Sequence, residues 1–238
     1  MISQLLSAIK KELWSYGSKE KAKVSQRFFK TGPGEYAEGD KFIGVQVPDT
    51  RIIARKHASL SDKEILDLLH SPIHEERLLA LLILITQFEK ADDKGKKKIY
   101  QIYLNNTRRI NNWDLVDLSA PRIVGAFLRG KDKKPLYKLA KSQIIWERRI
   151  SIISTFNFIK HREFEEALKI SEMLLKDKED LIHKAVGWML REAGKRDQRT
   201  EEQFLKKHTQ QMPRTMLRYA LEKFPEKKRR YYLSIPRS

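Results

Sequence analysis

Apolar residues recur along this chain at the three- and four-residue spacing of amphipathic helices. Residues 5–14 carry one such stripe and residues 22–29 carry a second, so two helices are predicted within residues 1–30. Gly32, Pro33 and Gly34 then end the helical pattern. No segment alternates apolar and polar residues with a period of two, so we predict an all-α fold without a sheet.

From residue 61 onward, one predicted helix follows another. Ser61 and Glu64 have the spacing of a capping box, and the apolar run Leu78–Ile85 has the length of a core helix. A helix is predicted from His74 to Phe88, with a charged turn at Asp92–Lys98. Further helices are predicted near residues 96–106, 112–129, 134–141, 144–160, 163–176, 179–194, 200–208 and 213–223.

One helix of each successive pair resembles its counterparts in sequence. Anchors at Arg77, Val116, Arg149, Lys184 and Arg218 are separated by 39, 33, 35 and 34 residues. A period of this length with two helices per unit is typical of an α-solenoid, a superhelix of HEAT-like repeats. If these helices line its concave face, Arg149 and Lys184 hold equivalent positions in a basic row that tracks a duplex backbone.

Length and composition favour a single domain. With 238 residues, 40% of them hydrophobic and 34% charged, the chain is long enough to bury a substantial core. We expect N-terminal helices and a loop over residues 1–60, helical repeats over 61–223 and a basic C-terminal tail over 224–238. An array of this size is usually self-sufficient, so we expect a monomer.

The formal net charge of +18 indicates the class of partner. Residues 206–238 contribute +8, because ten Lys and Arg residues there face two Glu residues. This excess is larger than solubility requires and favours a polyanion, with nucleic acid first. The basic segment 227–232 is open to three interpretations: a disordered arm, an additional DNA contact or a solvated end.

Several other classes of protein are excluded. No apolar run reaches the roughly 18 residues of a membrane span, and the N-terminus lacks the pattern of a signal peptide, so we expect no membrane partner. The absence of cysteine excludes disulfides, thiolate catalysis and Cys-type zinc sites, and it suits a cytoplasmic protein. The histidines lack metal-ligand spacing, and no P-loop, dinucleotide fingerprint or nucleophile elbow is present, so we expect neither a metal nor a cofactor.

The stretch Asn111–Pro121 contains an unusual pair of side chains. Trp113 and Asp117 are four residues apart, which places them one turn apart on the same helix face. One interpretation is a core indole beside a surface or capping carboxylate. The other is a functional site, which is favoured because three polar residues surround Trp113 at the helix start and argue against its deep burial.

Two later tryptophans admit the same pair of interpretations. Trp146 is expected in the core, but Arg149 beside it lies at a repeat anchor and suits a phosphate contact. Trp188 follows Ala185 and Gly187, whose small side chains allow another helix to approach closely. Trp188 is therefore either a core aromatic or a site residue.

With these residues in view, the chain resembles the DNA alkylation repair family of HEAT-like proteins, the AlkD-like alkylpurine DNA glycosylases. The resemblance extends over nearly the whole chain. Four segments carry it, in this order: Phe42–Pro48 with Arg51, Asn112–Asp117, Ile145–Arg149 and Lys184–Glu192. Together, on a helical-repeat background, they form a specific signal.

The resemblance implies an enzyme that excises N3- and N7-alkylated purines from duplex DNA, without base flipping and without a metal or redox cofactor. The family's catalytic aspartate falls on Asp117, and its two sugar-contacting tryptophans fall on Trp113 and Trp188. Its phosphate-binding arginine falls on Arg149.

Further DNA contacts are expected at Arg148 and Lys184. Family members can carry a tyrosine near the DNA, where this chain has Phe28 and lacks the hydroxyl. The loop from Thr31 to Lys41 is also longer than in compact members. Both differences bear on the preferred substrate more than on the reaction.

The implied chemistry is physically reasonable. An N3- or N7-alkylated purine is cationic and already a good leaving group, so little acid catalysis is needed. A carboxylate near the deoxyribose stabilises the oxocarbenium-like charge and orients water, and indole faces add cation–π attraction. A cationic contact to a phosphate fixes the strand in register.

Two other functions remain open. The first is a non-catalytic HEAT-repeat protein that binds damaged or branched DNA; Asp117 between two retained tryptophans argues against it. The second is a protein–protein scaffold, against which the charge argues. No lysine stands out as a Schiff-base nucleophile.

Overall fold

The computed structural model describes residues 3–236 and is built from helices. Within that range no residue belongs to a β-strand, and an isolated bridge pairs Lys41 with Ile73. The all-α prediction is therefore confirmed. No helix of the same range is long and apolar enough to cross a membrane.

The chain divides into two compact units, Met1–Leu115 and Val116–Ser238. The α-helices of the first unit are α1 (Gln4–Ser15), α2 (Lys19–Phe28), α3 (Val47–Lys56), α4 (Asp62–Leu69), α5 (His74–Lys90) and α6 (Asp93–Asn105). Helix α7 (Trp113–Ser119) contains the boundary between the units. Those of the second unit are α8 (Ala126–Leu128), α9 (Lys134–Ala140), α10 (Ile145–Ser154), α11 (Phe156–Lys160), α12 (Glu165–Met173), α13 (Asp180–Gly194), α14 (Gln198–His208), α15 (Arg214–Ala220) and α16 (Glu226–Ser234).

Helix α5 forms the centre of the first unit. Its run Leu78–Ile85 is buried along its whole length, as predicted for a core helix, and α3 and α4 pack against it. Helix α4 begins with the predicted capping box: the Ser61 side chain accepts the Glu64 N–H, and the Glu64 carboxylate accepts the Ser61 N–H. In contrast to α5, helix α2 buries none of its residues.

The second unit is organised around α10 and α13. Helix α10 packs on α9 and α13, and α13 packs on α14 and α15. Gly187 makes the last contact possible, because a Cβ at this position would lie 2.4 Å from the carbonyl oxygen of Met216 and 2.5 Å from the Cβ of Tyr219. The prediction that a small residue here allows close helix approach is confirmed.

A local bond recurs at the start of three repeat helices and fixes the repeat register. It joins a side chain to the carbonyl oxygen six residues earlier, as Arg77 to Ser71 (3.2 Å), Arg148 to Ser142 (3.0 Å) and His183 to Asp177 (2.6 Å). Arg77 therefore corresponds to Arg148 and not to Arg149, so the predicted anchor at Arg77 is displaced by one residue. Arg149 directly follows Arg148, and Lys184 directly follows His183, so the predicted equivalence of Arg149 and Lys184 holds. The shared bond and the packed helices identify helical repeats.

One local prediction is wrong, and two predicted helices are present but irregular. The stretch Asp92–Lys98 is not a turn, because the Asp92 side chain accepts the Gly95 N–H (2.8 Å) and caps α6. The helix predicted over 112–129 is interrupted by a π-helical turn, Pro121–Gly125. The one predicted over 144–160 breaks where the hydroxyls of Ser154 and Thr155 bond main-chain carbonyls of the preceding turn.

The basic segment 227–232 is helical, so its interpretation as a disordered arm is wrong. Residues 226–234 form helix α16, and Tyr232 is buried with its ring edge-on to Phe224 at 5.9 Å. The last two residues of the predicted tail, 237 and 238, lie outside the described part. The expectation of one continuous domain stays a prediction.

Candidate functional site

Helix α7 carries both members of the predicted pair, Trp113 and Asp117. The side chain of Asn112 is buried, and its Oδ1 accepts the main-chain N–H of Trp113 at 2.8 Å. This bond satisfies a donor at the helix start that would otherwise lack a partner. The polar residue before Trp113 therefore fixes where the helix begins. The unit boundary falls after Leu115, so Trp113 belongs to the first unit and Asp117 to the second.

Asp117 is held at both carboxylate oxygens by Arg149. Nε of Arg149 donates to Oδ1 at 2.9 Å and Nη2 donates to Oδ2 at 2.8 Å, while Nη1 donates to the carbonyl of Leu181. The side chains of Arg149 and Asp117 are 5% and 15% exposed. A two-point pair of this kind fixes the plane and the direction of the carboxylate as well as its position.

The other two cations expected on DNA also have partners within the second unit. Arg148 donates from Nε to Asp177 Oδ2 at 2.6 Å and from Nη1 to the Ser142 carbonyl. Lys184 pairs with Asp180 at 2.7 Å, one turn away on α13. The Lys184 side chain is 39% exposed and that of Arg148 is 16% exposed, so Lys184 is the more accessible of the two.

Trp188 lies on α13, directly after Gly187, and is half-buried. Its ring centre is 5.8 Å from that of Phe156, with the planes at 43°. The alternative of a fully buried core aromatic therefore does not describe Trp188. It does describe Trp146, which is 6% exposed and was expected in the core.

Trp113 is part of an aromatic cluster of the first unit. Its ring stacks on Phe29 (5.2 Å, 28°) and meets Phe28 edge-on (5.8 Å, 72°). Phe28 is 63% exposed, so it covers the indole without being buried itself. The indole N–H donates to the hydroxyl of Tyr36 at 3.2 Å. Tyr36 belongs to the long loop over residues 31–41. That loop therefore supplies a hydroxyl group near Phe28, which lacks one.

The segment Phe42–Pro48 wraps around one carboxylate. The main-chain N–H groups of Ile43, Gly44 and Val45 all donate to Glu75, and the Gly44 bond is the shortest at 2.8 Å. Gly44 has φ +80°, and a Cβ there would lie 2.2 Å from the carbonyl oxygen of Ser18. Only glycine fits both conditions. Sequence analysis marked this segment but not its partner.

A buried ionic network in the first unit was missed by sequence analysis. His74 Nε2 lies 2.8 Å from Asp114 Oδ2, and His74 Nδ1 lies 3.3 Å from Asp40 Oδ2. Arg77 donates to the other oxygen of Asp40 at 2.7 Å. All four residues are buried. Because they come from three separate segments, no spacing in the sequence could have indicated the network.

The ionic network keeps the imidazole of His74 charged. Burial disfavours the imidazolium, but the carboxylates of Asp114 and Asp40 outweigh that penalty and raise the pKa of His74 to about 9. For Asp40, burial acts to raise the pKa, and His74 and Arg77 lower it by more. Asp114 is the second residue of α7, so the network ties the start of this helix to α5.

The structure thus brings together some of the predicted site residues. Within the second unit, Asp117 forms an ion pair with Arg149. Within the first unit, the ring of Trp113 contacts the ring of Phe28 edge-on. Trp188, Arg148 and Lys184 have the partners described above. A single site that combines Trp113, Asp117 and Trp188 stays a prediction. Among residues 3–236 there is no cluster of His, Asp or Glu with the geometry of a metal site.

Comparison with known proteins identifies the family. No curated protein matches the sequence. One solved structure with this fold is a protein from Enterococcus faecalis described as a predicted DNA alkylation repair enzyme, with a TM-score of 0.67 and 14% identity over 88% of this chain and 97% of that chain. At this identity the likeness shows the fold alone. The family model described as DNA alkylation repair enzyme matches residues 9–224. Since that match spans most of the sequence, the chain belongs to the DNA alkylation repair enzyme family and has a role in repairing alkylated DNA.

Proposed function

We propose that this family member is a monofunctional DNA glycosylase that hydrolyses the N-glycosidic bond of N3- and N7-alkylated purines in duplex DNA. The observation that supports this most directly is the carboxylate of Asp117, held at both oxygens by Arg149 and still partly exposed. An oriented, accessible carboxylate is the group this reaction requires.

The reaction uses the carboxylate electrostatically. The alkylated purine leaves with the electrons of the glycosidic bond, and positive charge develops on the deoxyribose. Asp117 stabilises that charge and orients the water that attacks the anomeric carbon. The products are the free base and an abasic site. Because the base is already cationic, its departure needs no general acid and no base-sized pocket around the leaving group.

Trp113 and Trp188 are proposed to contact the sugar. Each indole is half-buried and held by a neighbouring aromatic ring: Phe29 for Trp113, and Phe156 for Trp188. An indole face beside a developing cation contributes cation–π attraction, which increases as the charge grows. Such an interaction favours the transition state over the bound substrate.

Arg149 is proposed to act on Asp117 first and on a phosphate second. A guanidinium has five N–H donors, and the three bonds to Asp117 and Leu181 leave two N–H groups for a phosphate oxygen. Lys184 is the other proposed phosphate contact. Its partner Asp180 is exposed, and exposed pairs of this kind are worth only about 0–1 kcal/mol, so a phosphate can replace it.

Arg148 and Phe28 are proposed to contact DNA in different ways. Arg148 is fixed by Asp177 and by main-chain carbonyls, which suits a cation of fixed position near the backbone. Phe28 is exposed against Trp113 and offers an apolar surface to the sugar or base. We further propose that the equivalent positions of the repeats form a basic concave face for the duplex.

Base release tests the proposal. A duplex containing a single 7-methylguanine is incubated with excess protein, and the free base is measured over time. Wild-type protein is expected to release the base, and Asp117→Asn to lose at least about 10²-fold in rate. Asp132→Asn is the matched control, because it removes the charge of an exposed, ion-paired aspartate in the same unit.

Two checks separate chemistry from folding and binding. Thermal denaturation shows whether Asp117→Asn still folds, since Arg149 then loses its charged partner. Salt-dependent DNA binding is measured in parallel. Tight binding by wild-type protein with no base release from any alkylated duplex would replace the proposal with non-catalytic recognition of damaged DNA. Equal, slow release by wild type and Asp117→Asn would remove Asp117 from the catalytic role.

A further inference from the structure

The first unit contains a cavity of about 530 Å³ that the proposed reaction does not use. It lies between α2, the segment Phe42–Pro48 and the starts of α5 and α7. This volume is within the range of small-molecule sites in proteins. The walls are mainly apolar, and the polar side chains among them are those of Glu20, Lys21, Ser25, Gln46, His74, Glu75 and Asp114.

Three of these polar residues, His74, Glu75 and Asp114, are buried. Oδ2 of Asp114 is paired with His74, but Oδ1 is buried and accepts no hydrogen bond from any described residue. His74 is fully engaged, because its second nitrogen faces Asp40. Glu75, which also lines the cavity, is engaged by three main-chain N–H groups. Of the described residues that line the cavity, Asp114 alone has a buried side-chain atom without a partner.

A buried acceptor without a donor costs free energy, and the cost is greater when the acceptor is charged. The donor that recovers this cost must come from a ligand or from water. His74 cannot supply it, since its position between two carboxylates fixes the ring. The site therefore favours a ligand with an N–H group, neutral or cationic, and disfavours one that brings a phosphate close to Asp114.

The apolar walls determine the shape and character of such a ligand. Phe29 and Phe42 lie nearly parallel, at 5.0 Å and 11°, and Val45 and Leu78 add aliphatic surface. Aromatic and branched side chains around one polar acceptor suit a planar ring system whose edge carries an N–H donor. A purine base meets each of these conditions.

We propose that this cavity binds a free purine base whose edge N–H donates to Oδ1 of Asp114. Resting on the proposed function, the base is the alkylated purine released by the reaction, so the cavity is a product site. The methyl group and the rest of the ring lie against Phe29, Phe42 and the aliphatic wall. The sugar and phosphate of an intact nucleotide do not belong in it.

Calorimetric titration of the full-length protein with 7-methylguanine tests this inference. Saturable binding with one site is expected. 1,3,7-Trimethylxanthine is the ligand control, because it is a methylated purine of similar size without any N–H donor, and it is expected to bind at least about tenfold more weakly. Equal affinity for the two compounds would overturn the role of Asp114 Oδ1.

Two variants of α2 test the location. Ser25→Phe places a ring in the cavity wall and is expected to abolish binding. Gln26→Phe makes a similar change one residue later, outside the cavity lining, and is expected to leave binding unchanged. Neither position is buried, so both variants are expected to fold. Binding that survives Ser25→Phe would place the base elsewhere and overturn the inference.

Asp114→Asn tests the acceptor directly. The amide oxygen turns to His74, which leaves an N–H₂ group facing the cavity, so affinity for 7-methylguanine is expected to fall at least about tenfold. These titrations use the free base and need no catalysis. Protein that binds the base but releases none from DNA would contradict the proposed function and leave the cavity assignment intact. Base release without saturable binding of the free base would contradict the cavity assignment and leave the proposed function intact.

Discussion

The guanidinium of Arg149 contacts both carboxylate oxygens of Asp117, at 2.9 and 2.8 Å. These residues are 32 positions apart and come from α10 and α7. The pair fixes the carboxylate through two parallel bonds, so Asp117 cannot rotate away from the direction that α10 sets. A catalytic carboxylate held in this way has little reorganisation to undergo as charge develops on a sugar.

Arg149→Lys is expected to lower the single-turnover rate of base release by at least about tenfold. Lysine keeps the charge but replaces two fixed bonds with one point contact, so the carboxylate is no longer oriented. Quenched-flow or manual base-release kinetics with excess protein measure the effect. Arg129→Lys is the control, because its guanidinium pairs with the exposed Glu163 instead. Similar rates for the two variants would show that the orientation of Asp117 is unimportant.

Stability is expected to decrease as the pH rises from about 6.5 to 9. The pKa of His74 is about 9 in the folded protein, against its ordinary value of 6.5, so the folded state binds the proton more tightly. The resulting stabilisation is complete below the unfolded pKa and is lost as the pH rises through the folded pKa. By linkage this stabilisation amounts to about 3 kcal/mol. The charged groups that act on the ring are Asp114, Asp40 and Arg77.

Urea denaturation across this pH range measures the change in the free energy of unfolding. The experiment is best done on Glu201→Gln protein, because Glu201 titrates in the same range. The imidazole NMR signals of His74 should move with the same midpoint. A free energy of unfolding that is constant between pH 6.5 and 9 would contradict the charged state of His74.

Glu201→Gln is expected to stabilise the protein at pH 8, by as much as about 5 kcal/mol by linkage. Burial raises the pKa of Glu201 to about 9, so the folded protein holds it neutral while the unfolded chain ionises it above its ordinary pKa of 4.5. This cost increases from pH 4.5 upward and is absent below it. Urea denaturation at pH 8 and pH 4 should therefore show a gain only at pH 8. Glu202→Gln, at the ion-paired neighbouring position, is expected to show no such gain.

Gly187→Ala is expected to destabilise the protein by about 1–3 kcal/mol. The new Cβ would overlap the Met216 carbonyl and the Tyr219 side chain, which forces α13 and α15 apart. Helix propensity alone predicts the opposite sign, since alanine is favoured over glycine by about 1 kcal/mol within a helix. The shift in thermal melting temperature therefore distinguishes close packing from propensity. An increase in melting temperature would contradict the close contact at this position.

The sequence was informative where a signal is local. Helical periodicity, the Ser61 capping box and the small residue at 187 depend on neighbours along the chain, and the structure confirms each of them. The family resemblance is confirmed in the same way, because the matching residues can be read in order. Both Asp117 and Arg149 were singled out individually.

Their pairing was not predicted, and neither was the His74 network. Contacts between residues 32 to 40 positions apart depend on how repeats stack, and repeat spacing located Arg149 but not the direction of its side chain. The repeat register predicted at Arg77 was displaced by one residue. The hydrogen bonds that define the register end on main-chain carbonyls, and because every residue has one, the sequence does not reveal them. Tyr36 was overlooked since it lies in a loop without periodicity.

Helix α2, which buries none of its residues, has a consequence for amide hydrogen exchange. With little apolar surface to expose, it can open locally at a small cost while α5 stays folded. Deuterium should therefore enter α2 within a time at which α5 is still fully protonated. Since α2 forms one wall of the cavity, this opening gives a base a route in and out without unfolding of the unit. Slower exchange of α2 in saturating 7-methylguanine would report the closed, occupied state.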